Sequence, residues 1–243
     1  MKKAIGYVYV IAAAVCWGFL GLFNRVLTAA GVSLLNMMPL RFGGTAILFT
    51  VFCMMFKQQV FHIKLRHLPI FLGSGLISML LVLCGCALVS GIVGSDVGIS
   101  LKGLLMGLAS ELCYGGYTIF THYGMRYCDS FTMAYWTFLI AGIASLFLAD
   151  GPALLSALAE PRTGLAALGL MVMGTALPFT LYTKGLETVE SGKAAIIANI
   201  EPVMSAVIGV TVFQETLGLR TLVGIVLVLS GVVVLACEKE PDK

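Results

Sequence analysis

The sequence predicts an all-α fold: a polytopic membrane helix bundle of eight spans. Three observations carry this reading. The chain of 243 residues is 59% hydrophobic and only 11% charged, whereas soluble domains carry about 25% charged residues. Its apolar residues gather into eight runs, most of them near the ~20 residues a helix needs to cross a bilayer. The connections are short, and the longest less apolar stretches, Lys57–His67 and Asp150–Arg162, cannot hold a soluble domain. Any chemistry therefore sits inside the bundle. The 28 glycines fit the same picture, because small residues let membrane helices approach closely.

In order, the spans are expected at 4–24, 34–56, 68–95, 103–121, 130–149, 163–183, 194–214 and 221–237. Lys2 and Lys3 before an apolar run could open a signal peptide, but the charge-free stretch 4–24 exceeds a signal core of about 7–15 residues. It reads as an uncleaved first helix. The third run, 68–95, is 28 residues without a charge, about 42 Å as a helix against ~30 Å of hydrocarbon. It is either a tilted helix or a junction of two half-helices.

Lysine and arginine placement gives the orientation. With the amino terminus in the cytoplasm, ten basic residues fall inside (Lys2, Lys3, Lys57, Lys64, Arg66, Arg126, Lys184, Lys193, Lys239, Lys243). Four fall outside (Arg25, Lys102, Arg162, Arg220). Both termini are thus expected in the cytoplasm of a cell whose plasma membrane, read as bacterial, holds the protein.

An internal repeat is visible. Cys16-Trp17-Gly18 recurs as Cys113-Tyr114-Gly115, and Ser33 meets Ser130 at the same offset of 97. Leu72-Gly73 resembles Leu168-Gly169 at an offset of 96, and VLCGCALV (82–89) resembles VLSGVVVL (228–235) at an offset of 146. The jump means that the first half lacks a counterpart of roughly fifty residues, Pro178 to Leu227. Residues 1–95 then form a shortened repeat of three spans, and residues 101–237 a complete repeat of five. A fused third span would account for the overlong run.

Inside the spans a few residues stand out. Pro178 and Pro202 interrupt two helices, since proline removes a backbone bond and crowds the preceding turn. The interruption either helps helices pack or lines a cavity, as broken helices do in secondary transporters. Thr180 and Asn199 are placed to bond the freed carbonyls. Arg41, Glu111 and Glu201 are charges deep in apolar runs, where an ionisable group costs about 2.5–3.5 kcal/mol and normally finds a partner. Either Arg41 pairs with a glutamate, or a glutamate serves as a proton or substrate-cation site. Trp17, Asn24, Tyr114 and Tyr117 can line one cavity, Trp17 and Tyr114 being repeat-equivalent, or they can simply pack. Glu215 ends the seventh span beside Arg220.

Other classes are disfavoured. A net charge of +3 with no basic, aromatic-interleaved run argues against nucleic acid. The seven cysteines lie in or beside apolar runs and read as small fillers, with neither a metal-ligand pattern nor a disulfide framework. No cofactor motif, metal cluster or nucleophile–base pair is evident in the spans, so the expectation is a non-enzyme.

The runs AVCWGFLGLFNR, LRFGGTAILF, LCYGGYTIF and IEPVMSAVIGVTVFQETLGLRTLVGIVLVLSGVVVL resemble EamA-type transporters of the drug/metabolite transporter superfamily. Pro202, Glu215 and Gly224 fall in the most specific of these. The resemblance implies ten helices in two inverted repeats, a central cavity, and movement of a small organic metabolite or drug-like compound by alternating access. The partners implied are the lipid bilayer and a small-molecule substrate. The fifty-residue gap leaves two rivals: an inactive shortened paralogue, and a subunit completed by a homodimer mate or a second membrane chain.

Overall fold

A computed structural model describes residues 2–61, 65–89, 101–216 and 218–237. Among them there is no strand; thirteen α-helices and two π-helical turns, with a few short 3-10 turns, build the eight runs. The first run is α1 (Lys2–Gly18) and α2 (Leu20–Ala29). The second is α3 (Leu34–Met38), a π-turn (Pro39–Gly43) and α4 (Gly44–Phe56). Single helices follow: α5 (Leu68–Val89), α6 (Leu101–Gly124) and α7 (Ser130–Ser145). After the short α8 (Gly151–Leu158), the sixth run is α9 (Pro161–Met171), a second π-turn (Val172–Ala176) and α10 (Leu177–Leu186). The seventh is α11 (Ser191–Ala198) with α12 (Ile200–Phe213), and the last is α13 (Leu219–Cys237). The protein is an integral membrane helix bundle.

Four of these composite helices are long and apolar enough to cross a bilayer by length and composition: Ala4–Ala29, Leu35–Phe56, Pro161–Leu186 and Ser191–Phe213. One expectation lies partly outside the described residues and one changes. The third run is helical to Val89, and its tail, 90–95, lies outside the described residues. The stretch Asp150–Arg162, expected as a plain connection, contains α8. Asp150 caps that helix by accepting from the Ala153 N–H at 3.3 Å, and Pro152 sits in its first turn, where a missing N–H costs nothing. Asn36 ties the turn to α3, its side-chain oxygen accepting from the Asp150 N–H at 2.7 Å.

The breaks have physical causes. Pro178 cannot donate to Gly174 and its ring needs room there. The helix responds by widening over Val172–Ala176. A π-turn leaves carbonyls to be met by other donors. Leu170 O accepts from Thr175 Oγ1 at 3.0 Å, and Met171 O accepts from Thr45 Oγ1 at 3.1 Å. Pro202 cannot donate to Ala198, and the chain tightens just before it, the Asn199 N–H reaching only to Ile196 O at 3.1 Å. The first run breaks similarly, with the Phe19 N–H donating to Cys16 O at 3.1 Å.

Two glycines set the helix crossings around the centre. A Cβ on Gly185 of α10 would stand 2.5 Å from Val10 Cγ2 and 3.0 Å from Gly6 O of α1. A Cβ on Gly18 would stand 2.4 Å from Met204 Cβ of α12. Helix α1 is thereby clamped between α10 and α12, with Trp17 at the crossing. The main core joins Val10, Trp17, Phe42, Tyr117, Phe138, Phe179 and Tyr182.

Candidate functional site

Helix α6 presents Tyr114, Tyr117, Thr118 and Thr121 at spacings of three and four residues, which puts them in one stripe. Tyr117, Thr118 and Thr121 are buried there. Opposite stand Trp17 of α1 and Phe179 and Tyr182 of α10. Trp17 lies 5.0 Å from Phe179, 5.4 Å from Tyr182 and 6.4 Å from Tyr114 between ring centroids. Tyr117 meets Phe179 edge-on at 5.5 Å, and Phe138 of α7 closes the far side at 4.9 Å from Phe179. Six rings from four helices thus meet at one place, with the offset and edge-to-face geometry aromatic rings prefer.

Polar atoms are interleaved with the rings. Tyr182 OH and Thr118 Oγ1 lie 3.2 Å apart and share a hydrogen bond, and Thr118 also donates to Tyr114 O at 3.0 Å. Four others, Trp17 Nε1, Tyr114 OH, Tyr117 OH and Thr121 Oγ1, are buried with no hydrogen-bond partner among the described residues. The Tyr117 hydroxyl faces the hydroxyls of Thr121 and Thr183. Each such group costs about 1–3 kcal/mol when left unpaired. Four of them in one cluster mark a place suited to a ligand that hydrogen-bonds.

The remaining sequence candidates divide. Arg41 sits in the first π-turn, half-buried, and its Nε donates to Thr175 Oγ1 at 3.2 Å. Its guanidinium carbon is 6.0 Å from the Phe179 ring, which links it to the cluster. Glu201 is half-buried in the first turn of α12. The Asn199 break therefore places this midspan carboxylate at a helix N-terminus, whose dipole favours negative charge. It lies within electrostatic reach of the Tyr114 hydroxyl. Pro178 is buried, Pro202 exposed and Asn24 half-buried on α2 beyond the first break. Thr180 donates to Ala176 O at 2.7 Å and the exposed Asn199 to Ala195 O at 3.1 Å. Both bonds are back-bonds within their own helix, so neither residue bonds the carbonyl its proline frees, Gly174 or Ala198. The Glu111 side chain lies outside the described residues. Glu215 reaches Arg25 of α2 at 2.5 Å, and the Arg220 side chain lies outside the described residues.

Five contributors were not read from the sequence, Phe138 of α7 among them. Thr118 and Thr121 could have been found from their stripe with Tyr114 and Tyr117. Phe179 and Tyr182 follow Pro178 by one and four residues, a signal that the break also aims the next turn inward.

Residues 101–237, covering α6 to α13, match the EamA-like transporter family. The chain belongs to that family. An EamA-like chain of this size has relatives of differing extent. It is 26% identical over 174 residues to the uncharacterized transporter YwfM of Bacillus subtilis, covering 70% of this chain and 57% of YwfM. To the uncharacterized inner membrane transporter YicL of Salmonella typhimurium it is 26% identical, over 59% of this chain and 48% of YicL. It is 32% identical over 87 residues to the multidrug resistance protein EbrB of Bacillus atrophaeus, over 35% of this chain and 74% of EbrB. The EamA-like chain spans about half the length of the two longer-matching relatives, YwfM and YicL.

Proposed function

We propose that this EamA-like protein is a secondary transporter, a permease that moves a small amphipathic organic compound across the membrane by alternating access. One observation carries the reading: the hydrogen-bonding atoms of Trp17, Tyr114, Tyr117 and Thr121, unpartnered among the described residues, lie among edge-to-face and tilted rings at the centre of the bundle. Rings bind the apolar or cationic body of a ligand and the hydroxyls fix its polar edge. Family membership points to transport rather than catalysis. Arg41 and Glu201 flank the ring cluster and are assigned the charge of the substrate or of a coupling proton. Uptake of a fluorescent lipophilic cation into liposomes tests this. Tyr117→Phe, which removes one oxygen, is expected to lower uptake about tenfold, the effect of ~1.4 kcal/mol. Uptake that is the same with and without the protein would refute the reading.

A second reading is favoured by a separate observation. Helix α13 buries none of its described side chains, and α12 buries only Ile208 and Gly209, whereas α7 buries ten residues. We infer a shortened repeat over 1–95 and a complete one over 101–237, with the bare face of α12 and α13 completed by a second copy or another membrane chain. Inserting about fifty residues patterned on Pro178–Leu227 between Leu81 and Val82 tests it. The insertion is expected to raise uptake and stability, and a monomeric shorter chain that transports equally well would refute it.

A further inference from the structure

Away from the ring cluster, a cavity of about 1070 Å³ opens at the end of the bundle where α4 stops. Its walls come from three places: the α4 end with the following turn, the start of α5, and the loop between α6 and α7. The turn is held in place by Trp136 of α7, whose Nε1 donates to Val60 O at 2.9 Å. Among its described lining residues are two permanent cations, Lys57 and Arg126, together with His67 and a single carboxylate, Asp129.

That carboxylate is already engaged. It accepts from the Thr132 hydroxyl and pairs with Lys57 Nζ at 3.6 Å. Lys57 is held further by the Phe131 ring, 4.9 Å away. Arg126 is the charge this arrangement leaves over. Its guanidinium carbon lies 5.2 Å from the Tyr123 ring centroid; a guanidinium resting over a ring still has N–H groups to offer planar oxygen acceptors such as phosphate. The rings of His67 and Tyr127 meet at 4.3 Å, tilted by 32°, which holds the imidazole against the wall.

One rim is apolar. Phe56 lines the cavity and is 68% exposed, and Val51, Phe52, Met54 and Met55 carry the exposed surface on along α4. A polar basic hollow continuous with a bare apolar helix face has the chemistry of an amphiphile's two ends. Basic pockets between membrane helices hold anionic headgroups in this way.

We propose that this cavity binds the phosphate headgroup of an anionic phospholipid, with Arg126 on the phosphate and the acyl chains laid along α4. The phosphate chemistry alone would also admit a soluble phosphate, and the apolar rim is what selects the lipid.

The test is thermal unfolding of the whole chain in detergent with dioctanoyl phosphatidylglycerol, dioctanoyl phosphatidylcholine or inorganic phosphate added. The phosphatidylglycerol is expected to raise the midpoint on the order of 5 °C at large excess, and the other two by less than half as much. Arg126→Gln, at an exposed turn position, should abolish that rise, and Arg126→Lys should keep part of it. Phe56→Ser should weaken the lipid effect without altering any response to inorganic phosphate. Equal rises with both lipids, or a full rise in Arg126→Gln, would overturn the site. An equal rise with inorganic phosphate would overturn the lipid assignment in favour of a soluble anion.

Discussion

Arg41 and Thr175 join the two π-turns of the protein: Arg41 Nε donates to Thr175 Oγ1 at 3.2 Å, and the same hydroxyl donates to Leu170 O at 3.0 Å. One side chain thus closes a widened turn on its own helix and holds a membrane-buried cation from another. Thr175→Val keeps the shape and removes both bonds. It should destabilise the protein by about 1–3 kcal/mol, seen as a lower unfolding midpoint in detergent, while Thr175→Ser stays near the parent. A valine variant as stable as the parent would show that neither bond matters.

The crossing of α1 and α12 rests on the missing side chain at Gly18. Because the atom a new Cβ would strike is Met204 Cβ, trimming methionine to alanine cannot relieve it. Gly18→Ala is expected to cost about 1–3 kcal/mol, and the same amount in a Met204→Ala background. Relief in the double variant would show that the helices slide apart instead.

The half-buried Glu201 and the exposed Glu215 should behave differently. Glu215 and Arg25 are about half exposed, and such pairs contribute about 0–1 kcal/mol, so Glu215→Gln should leave stability and uptake nearly unchanged. Glu201→Gln, at the interior helix start beside the ring cluster, should lower uptake more. Equal effects on uptake would remove Glu201 from the site.

Acidification should reveal Asp129. Burial raises its pKa, but the Thr132 hydroxyl and Lys57 outweigh that and leave it below its ordinary 3.8. A depressed carboxyl stabilises the fold above its unfolded pKa and loses that contribution as pH falls through the folded one. The unfolding midpoints of the parent and Asp129→Asn should therefore differ at pH 6 and converge toward pH 3. A gap independent of pH would contradict the assignment.

The helical membrane bundle was legible because bilayer crossing imposes a length and composition that four of the composite helices display in full. What the sequence could not show was how proline strain is relieved. Pro178 yields a widened turn that captures Thr45 and Arg41, while Pro202 yields a tightened one at Asn199, and the difference depends on neighbouring donors. Thr180 and Asn199 were expected to bond the freed carbonyls, yet a short side chain in a helix reaches its own preceding turn first. Repeat equivalence pointed to Trp17 and Tyr114, which the structure places 6.4 Å apart. The rings opposite them come from α10, whose inward face depends on the Gly185 crossing, a contact no local pattern encodes.

The central claim, that the ring-and-hydroxyl cluster binds the transported compound, is tested most directly by the fluorescence of Trp17. The chain has two tryptophans, so Trp136→Phe leaves Trp17 as the sole reporter. Titrating this variant in detergent with a panel of amphipathic cations, anions and neutral compounds should give a saturable change in Trp17 emission for at least one class. Tyr117→Phe and Thr121→Val should each weaken that binding about tenfold, the effect of ~1.4 kcal/mol. No saturable response from any class, or one that both substitutions leave untouched, would contradict the account.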